Sequence, residues 1–103
     1  MNVMKKVDIY YLKLEYIDLM LETDKIKKED IVKTHVKMPD TNVFFKTPDQ
    51  AFEIFNGDDN PFANKEIQEF IRKVCTHTSM SVGDIVVIDD IYHICENIGW
   101  RTL

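Results

Sequence analysis

Hydrophobic and polar positions change period several times along this chain, and each change marks a candidate element. From Val7 to Leu14 both alternate faces are apolar, with Val7, Ile9 and Tyr11 on one side and Tyr10, Leu12 and Leu14 on the other. That pattern predicts a central strand buried on two sides. Glu15 to Glu22 could continue the strand or form a short helix: Tyr16, Leu19 and Met20 stand at i, i+3 and i+4, which slightly favours the helix. Thr23 to Asp30 is charged and reads as a solvated connection or a helix end. Ile31 to Lys37 is β-prone and stops at Met38-Pro39-Asp40, and Val43-Phe44-Phe45 is a second short β-prone piece.

Thr47-Pro48-Asp49-Gln50 carries a complete helix start, with Thr47 as cap, Pro48 at the first helical position and Gln50 closing a capping box. The helix would bury Ala51, Phe52 and Phe55 and end at Asn56-Gly57. Asn64 caps a second helix from Lys65 to about Val74, whose stripe is Ile67, Phe70, Ile71 and Val74. After Ser81-Val82-Gly83-Asp84 come two β runs, Ile85–Ile88 and Ile91–Cys95, separated by the hairpin pair Asp89-Asp90. Asn97-Ile98-Gly99 turns into a closing strand from Trp100. The expected fold is one α+β domain over residues 1–103. Its mostly antiparallel sheet would have about five strands, with two helices packed on one face.

The stretch Ser-Met-Ser-Val-Gly-Asp-Ile-Val, followed by a tyrosine-bearing strand and Ile98-Gly99-Trp100, resembles the signature of YodL-like domains. Upstream, Phe55-Asn56 and Asn60-Pro61-Phe62 are similar to the approach found in those domains. The resemblance covers Thr47 to Leu103, interrupted by the helical stretch Asn64 to Cys75. It implies an origin in a phage or another mobile element and implies no enzymatic activity.

Composition narrows the function. The chain has 103 residues, 45% of them hydrophobic and 30% charged, enough for one core without a metal or disulfide staple. No apolar run approaches the ~20 residues that span a bilayer, so no membrane partner is expected and the expected location is the host cytoplasm. A net charge of −5 disfavours a broad phosphate-binding surface and is compatible with a basic partner, although keeping a small domain in solution is its simpler role.

Three constellations could carry chemistry. Cys75 and His77 with His93 and Cys95 offer the thiolate and imidazole donors of a zinc site, although the one-residue spacings are unlike those of common zinc pairs. Read otherwise, both cysteines are small buried hydrophobes with reduced thiols. Ser79 or Ser81 with His77 and Asp84 has the residue types of a nucleophilic triad, without the Gly-x-Ser-x-Gly elbow. Hydroxyls and Asp84 serving the turn backbone are the simpler reading. Tyr10, Tyr11, Tyr16, Phe44, Phe45, Tyr92 and Trp100, with Lys5, Lys6, Lys27, Lys28 and Arg101, could form a stacking surface for nucleic acid, but the acidic net charge supplies no basic groove and core packing or a protein interface is the simpler use.

The expectation is a non-enzymatic binding protein without a cofactor, engaging a host protein in host takeover or counter-defence. Its contact surface would comprise Ser79, Met80, Ser81, Asp84, Tyr92 and Trp100. A nucleic-acid-binding module is the alternative, and a homodimer through an exposed sheet edge is compatible with either.

Overall fold

A computed structural model describes residues 5–40, 43–75, 77 and 79–103. Strand β1 (Lys5–Leu12) runs through the middle of the sheet. After it come a 3-10 segment, Leu14–Met20, and two single 3-10 turns, Thr23–Lys25 and Lys28–Asp30. A short helix α1 (Ile31–Thr34) leads directly into β2 (His35–Lys37), and β3 (Phe44–Phe45) follows. Helices α2 (Pro48–Phe55) and α3 (Lys65–Val74) precede β4 (Ile85–Ile88), β5 (Ile91–Cys95) and β6 (Trp100–Thr102). The sheet order is β2-β1-β4-β5-β6, with β3 also on β1, and every pairing is antiparallel.

The local signals explain most elements. Thr47 and Gln50 form the capping box of α2, with Pro48 in the first turn, and Asn64 caps α3 by accepting the Ile67 amide at 2.9 Å. Asp89 and Asp90 take positive φ values of 54° and 64°, the twist that a two-residue hairpin between β4 and β5 requires.

The α+β sheet is as the sequence predicts, but both of its faces are covered. On one face α2 and α3 close over Val7, Ile9, Tyr11, Val86 and Ile88. Phe55 and Phe62 stack there with centroids 4.8 Å apart, and Tyr11 meets Phe62 edge-on. On the other face Ile85, Val87 and Ile94 pack against Ile26 and Ile31. The charged connection expected at Thr23–Asp30 is therefore a lid whose Ile26 is buried.

Two further expectations are corrected. The first half of the β-prone run Ile31–Lys37 is helical: Ile31 enters the second core while Val32 stays in solvent, and the Thr34 hydroxyl lies 3.1 Å from the Asp30 carbonyl one turn back. Tertiary demand for one buried isoleucine outweighs strand propensity there. Phe52, expected in the core, is 36% exposed and packs edge-on against Trp100.

Candidate functional site

The Ser-Met-Ser-Val-Gly-Asp turn is a latch inside the fold. Asn56, at the end of α2, accepts the Met80 amide on its side-chain oxygen (2.7 Å) and donates to the Met80 carbonyl (3.1 Å). Asp84 is fully buried, and its carboxyl accepts the amides of Leu12 and Ser81, each at 2.8 Å. Burial pushes that carboxyl up to about 8, against the pull of the two amide donors. Gly83, with φ 93°, donates its amide to the Cys95 carbonyl, and its own carbonyl lies 2.7 Å from His35 Nε2. A carbonyl only accepts, so Nε2 carries the proton and Nδ1 takes the hydroxyl hydrogen of Thr34 at 2.7 Å. Burial lowers the His35 pKa to about 4, so the ring is neutral in the fold.

These bonds correct the contact surface expected at Ser79, Met80, Ser81, Asp84, Tyr92 and Trp100. Met80 is in the core and Asp84 is buried, so neither side chain faces a partner. Ser79 and Ser81 are half-buried. Tyr92 and Trp100 lie on opposite faces, because Trp100 pairs with Cys95, and Cys95 and Tyr92 differ by an odd number of residues along β5. The resemblance residues thus converge on packing: Phe55 on Phe62, and Asn56 on Met80.

The other constellations do not assemble as written. Among the described residues no three His, Cys, Asp or Glu side chains are grouped to hold a metal, so Cys75, His77, His93 and Cys95 form no zinc cradle. Cys75 and Cys95 are free and buried, and burial pushes each thiol up to about 11, far from the thiolate that ligation needs. His93 is half-buried, and burial lowers its pKa. The ring of His77 lies 3.2 Å from the Ser81 hydroxyl, a Ser–His contact, but Asp84 gives its oxygens to backbone amides and completes no triad.

The aromatic stacking surface is dispersed as well. Tyr11 and Phe45 are buried, and Arg101 is held by Glu96 (3.2 Å) and the Thr23 carbonyl (2.6 Å). Tyr10 and Tyr92 form a tilted pair with Lys28 4.8 Å above the Tyr92 ring, on the face away from Trp100.

One surface remains as the candidate site. At the β6 edge Trp100 donates from Nε1 to Asp49 Oδ1 (2.8 Å) and stands edge-to-face with Phe52, centroids 6.2 Å apart. A cleft of about 230 Å³ opens there, lined by Asp49, Phe52, Cys95, Glu96 and Trp100, with Asn97 and Gly99 at its turn. Between those two turn residues Ile98 is 94% exposed. Carboxylates at 49, 53 and 96 lie on the elements that frame it. Trp100 alone was legible from the sequence. Phe52 was hidden by its place on an apolar helix stripe, whereas Ile98 carried a signal: a large apolar residue at the tip of an Asn-x-Gly turn.

No family model matches the chain, and no solved structure matches it. An uncharacterized protein of Acanthamoeba polyphaga mimivirus is 34% identical over 106 residues, covering 97% of this chain and 94% of the relative. The chain belongs to the family of that mimivirus protein. The match covers nearly all of the chain, well beyond the stretch from Thr47 onward that carries the YodL-like resemblance. Among the described residues no helix is long and apolar enough to cross a membrane.

Proposed function

We propose that this member of a viral family is a non-enzymatic binding protein that modulates a host protein. Its contact surface would be the β6 edge: Trp100, Phe52 and Ile98 supply apolar anchors, and Asp49 and Glu53 form an acidic rim, Glu96 being held by Arg101. The partner chemistry that fits is an apolar segment flanked by lysine or arginine. The observation that carries the reading is the Trp100–Phe52 pair, partly uncovered beside Asp49 at a sheet edge. Both faces of the sheet are otherwise packed, and half-buried tryptophans bonded at the indole nitrogen are frequent anchors of interfaces. The viral relative supports the association with a host, and the YodL-like resemblance would extend it to mobile elements and to counter-defence. Of the contact set expected from the sequence this reading keeps Trp100, and leaves out Met80 and Asp84 because they are buried and Tyr92 because it lies on the other face.

The test is capture from host lysate by the wild type and by Trp100→Ala, with circular dichroism verifying that both are folded. A partner retained by the wild type should bind Trp100→Ala about 30-fold more weakly, the loss of an anchor worth about 2 kcal/mol. Equal capture by the folded variant would sink the reading. The nucleic-acid alternative draws on Tyr10, Tyr92 and Lys28, which do sit together. A gel shift that weakens steeply with salt and is lost in Tyr92→Ala would favour it.

A further inference from the structure

The segment between β1 and the second core is a ridge with two kinds of outward residue. Tyr16, Leu19 and Met20 are half-buried, whereas Leu14, Ile17 and Leu21 are 46%, 45% and 88% exposed. Each of the exposed three is followed by an exposed acid: Glu15, Asp18 and Glu22. Glu22 already holds Lys25 at 2.7 Å, so Glu15 and Asp18 are the acids best placed to meet something else. Apolar and acidic groups thus alternate along one short surface element.

Beside the ridge, β2 and α3 leave a groove of complementary chemistry. Near the ridge it encloses about 480 Å³ between Lys13, Val36, Lys73 and Val74, and Leu14 and Glu15 form its wall. Along α3 lies a second hollow of about 260 Å³, lined by Lys37, Pro39, Glu66, Ile67 and Phe70. The lining is largely apolar, with Lys13, Lys37 and Lys73 and the acids Glu15 and Glu66 among it. In a chain of net charge −5, three lysines against the two acids Glu15 and Glu66 give these hollows a small positive balance.

We propose that the ridge of one copy seats in the β2–α3 groove of a second copy, forming a two-fold symmetric dimer. Both halves of the complement are on one chain, and they adjoin through Leu14 and Glu15, as an isologous interface requires. Leu14, Ile17 and Leu21 cover the apolar floor, while Asp18 and Glu15 meet lysines that the opposite copy presents. Two acidic chains repel at a distance, so the contact depends on this local pairing and strengthens at moderate salt before it weakens at high salt. The groove lies at the β2 end of the sheet and Trp100 at the β6 end, so a dimer would leave both Trp100 surfaces open. The proposal is independent of what those surfaces bind.

Sedimentation equilibrium on the full chain tests it, using Asp18→Lys and Lys73→Asp, both at exposed positions. The wild type should dimerise with rising concentration, and each variant alone should bind itself at least about tenfold more weakly, because like charges then face each other twice. An equimolar mixture of the two variants should regain wild-type association, since each opposed pair is again lysine against aspartate. A wild type that stays monomeric at the highest concentration reached, or a mixture as weak as the single variants, overturns the proposal.

Discussion

Asp84 reaches across 72 residues of sequence to accept the backbone amide of Leu12 at 2.8 Å, and the same carboxyl holds the Ser81 amide. One side chain thereby closes the end of β1 onto the turn that starts β4.

That carboxyl gives stability a pH dependence with a definite sign. The folded chain keeps the Asp84 proton up to about 8, whereas an ordinary carboxyl loses it near 3.8. The fold binds more protons in that window, so this contribution is fully present below the window and is lost as pH rises through it. Asp84→Asn should flatten the alkaline limb of a urea-midpoint against pH profile. It should also cost about 1–3 kcal/mol, because one of two amide donors then faces an NH₂ group.

His35 works in the opposite direction. Its buried ring protonates only near 4, against 6.5 for an unperturbed histidine, so the unfolded chain takes the proton first and stability falls as pH drops through that range. In the wild type the two groups oppose each other between about 4 and 6.5. His35→Gln, followed by the same denaturant series, should remove the acid-side loss and leave the alkaline limb of Asp84 in place.

Tyr11 carries a buried hydroxyl with no hydrogen-bond partner among the described residues. An orphaned polar group destabilises a core, so Tyr11→Phe should leave stability unchanged or raise it by about 1 kcal/mol. Thermal unfolding of the two proteins decides this, and a clear loss would mean that the hydroxyl has a partner in solution.

Phe62 is fully buried between Phe55 and Tyr11. Phe62→Ala should cost about 3–5 kcal/mol in denaturant unfolding, the transfer and cavity penalty of a buried ring. A cost under about 1 kcal/mol would contradict the packing described for the first core.

Gly83 has φ 93°, and a Cβ built there would stand 3.1 Å from the Leu12 side chain. Gly83→Ala should lower stability by more than about 1 kcal/mol, since both the backbone conformation and the space are wrong for a side chain.

What could be read from the residue order follows from the range of the forces involved. Thr47, Pro48 and Gln50 begin a helix through bonds within four residues, Asn64 does the same, and Asp89-Asp90 set a hairpin through their own backbone. The two apolar faces of β1 likewise announced a strand with cover on both sides. Distant neighbours decided the rest. Ile31 became helical because a second core had to be filled, Phe52 left the core to meet Trp100, and Met80 and Asp84 became a latch because Asn56 and Leu12 were there to receive them.

The sequence by itself determined most of the elements, the antiparallel α+β class and Trp100 as a residue to watch, because capping, turn geometry and hydrophobic period act over a few bonds. Only the tertiary structure decided which motif residues are buried and which face solvent. Burial and the pairing of a carboxyl with an amide 72 positions away depend on what the folded chain brings alongside, and no local spacing encodes that.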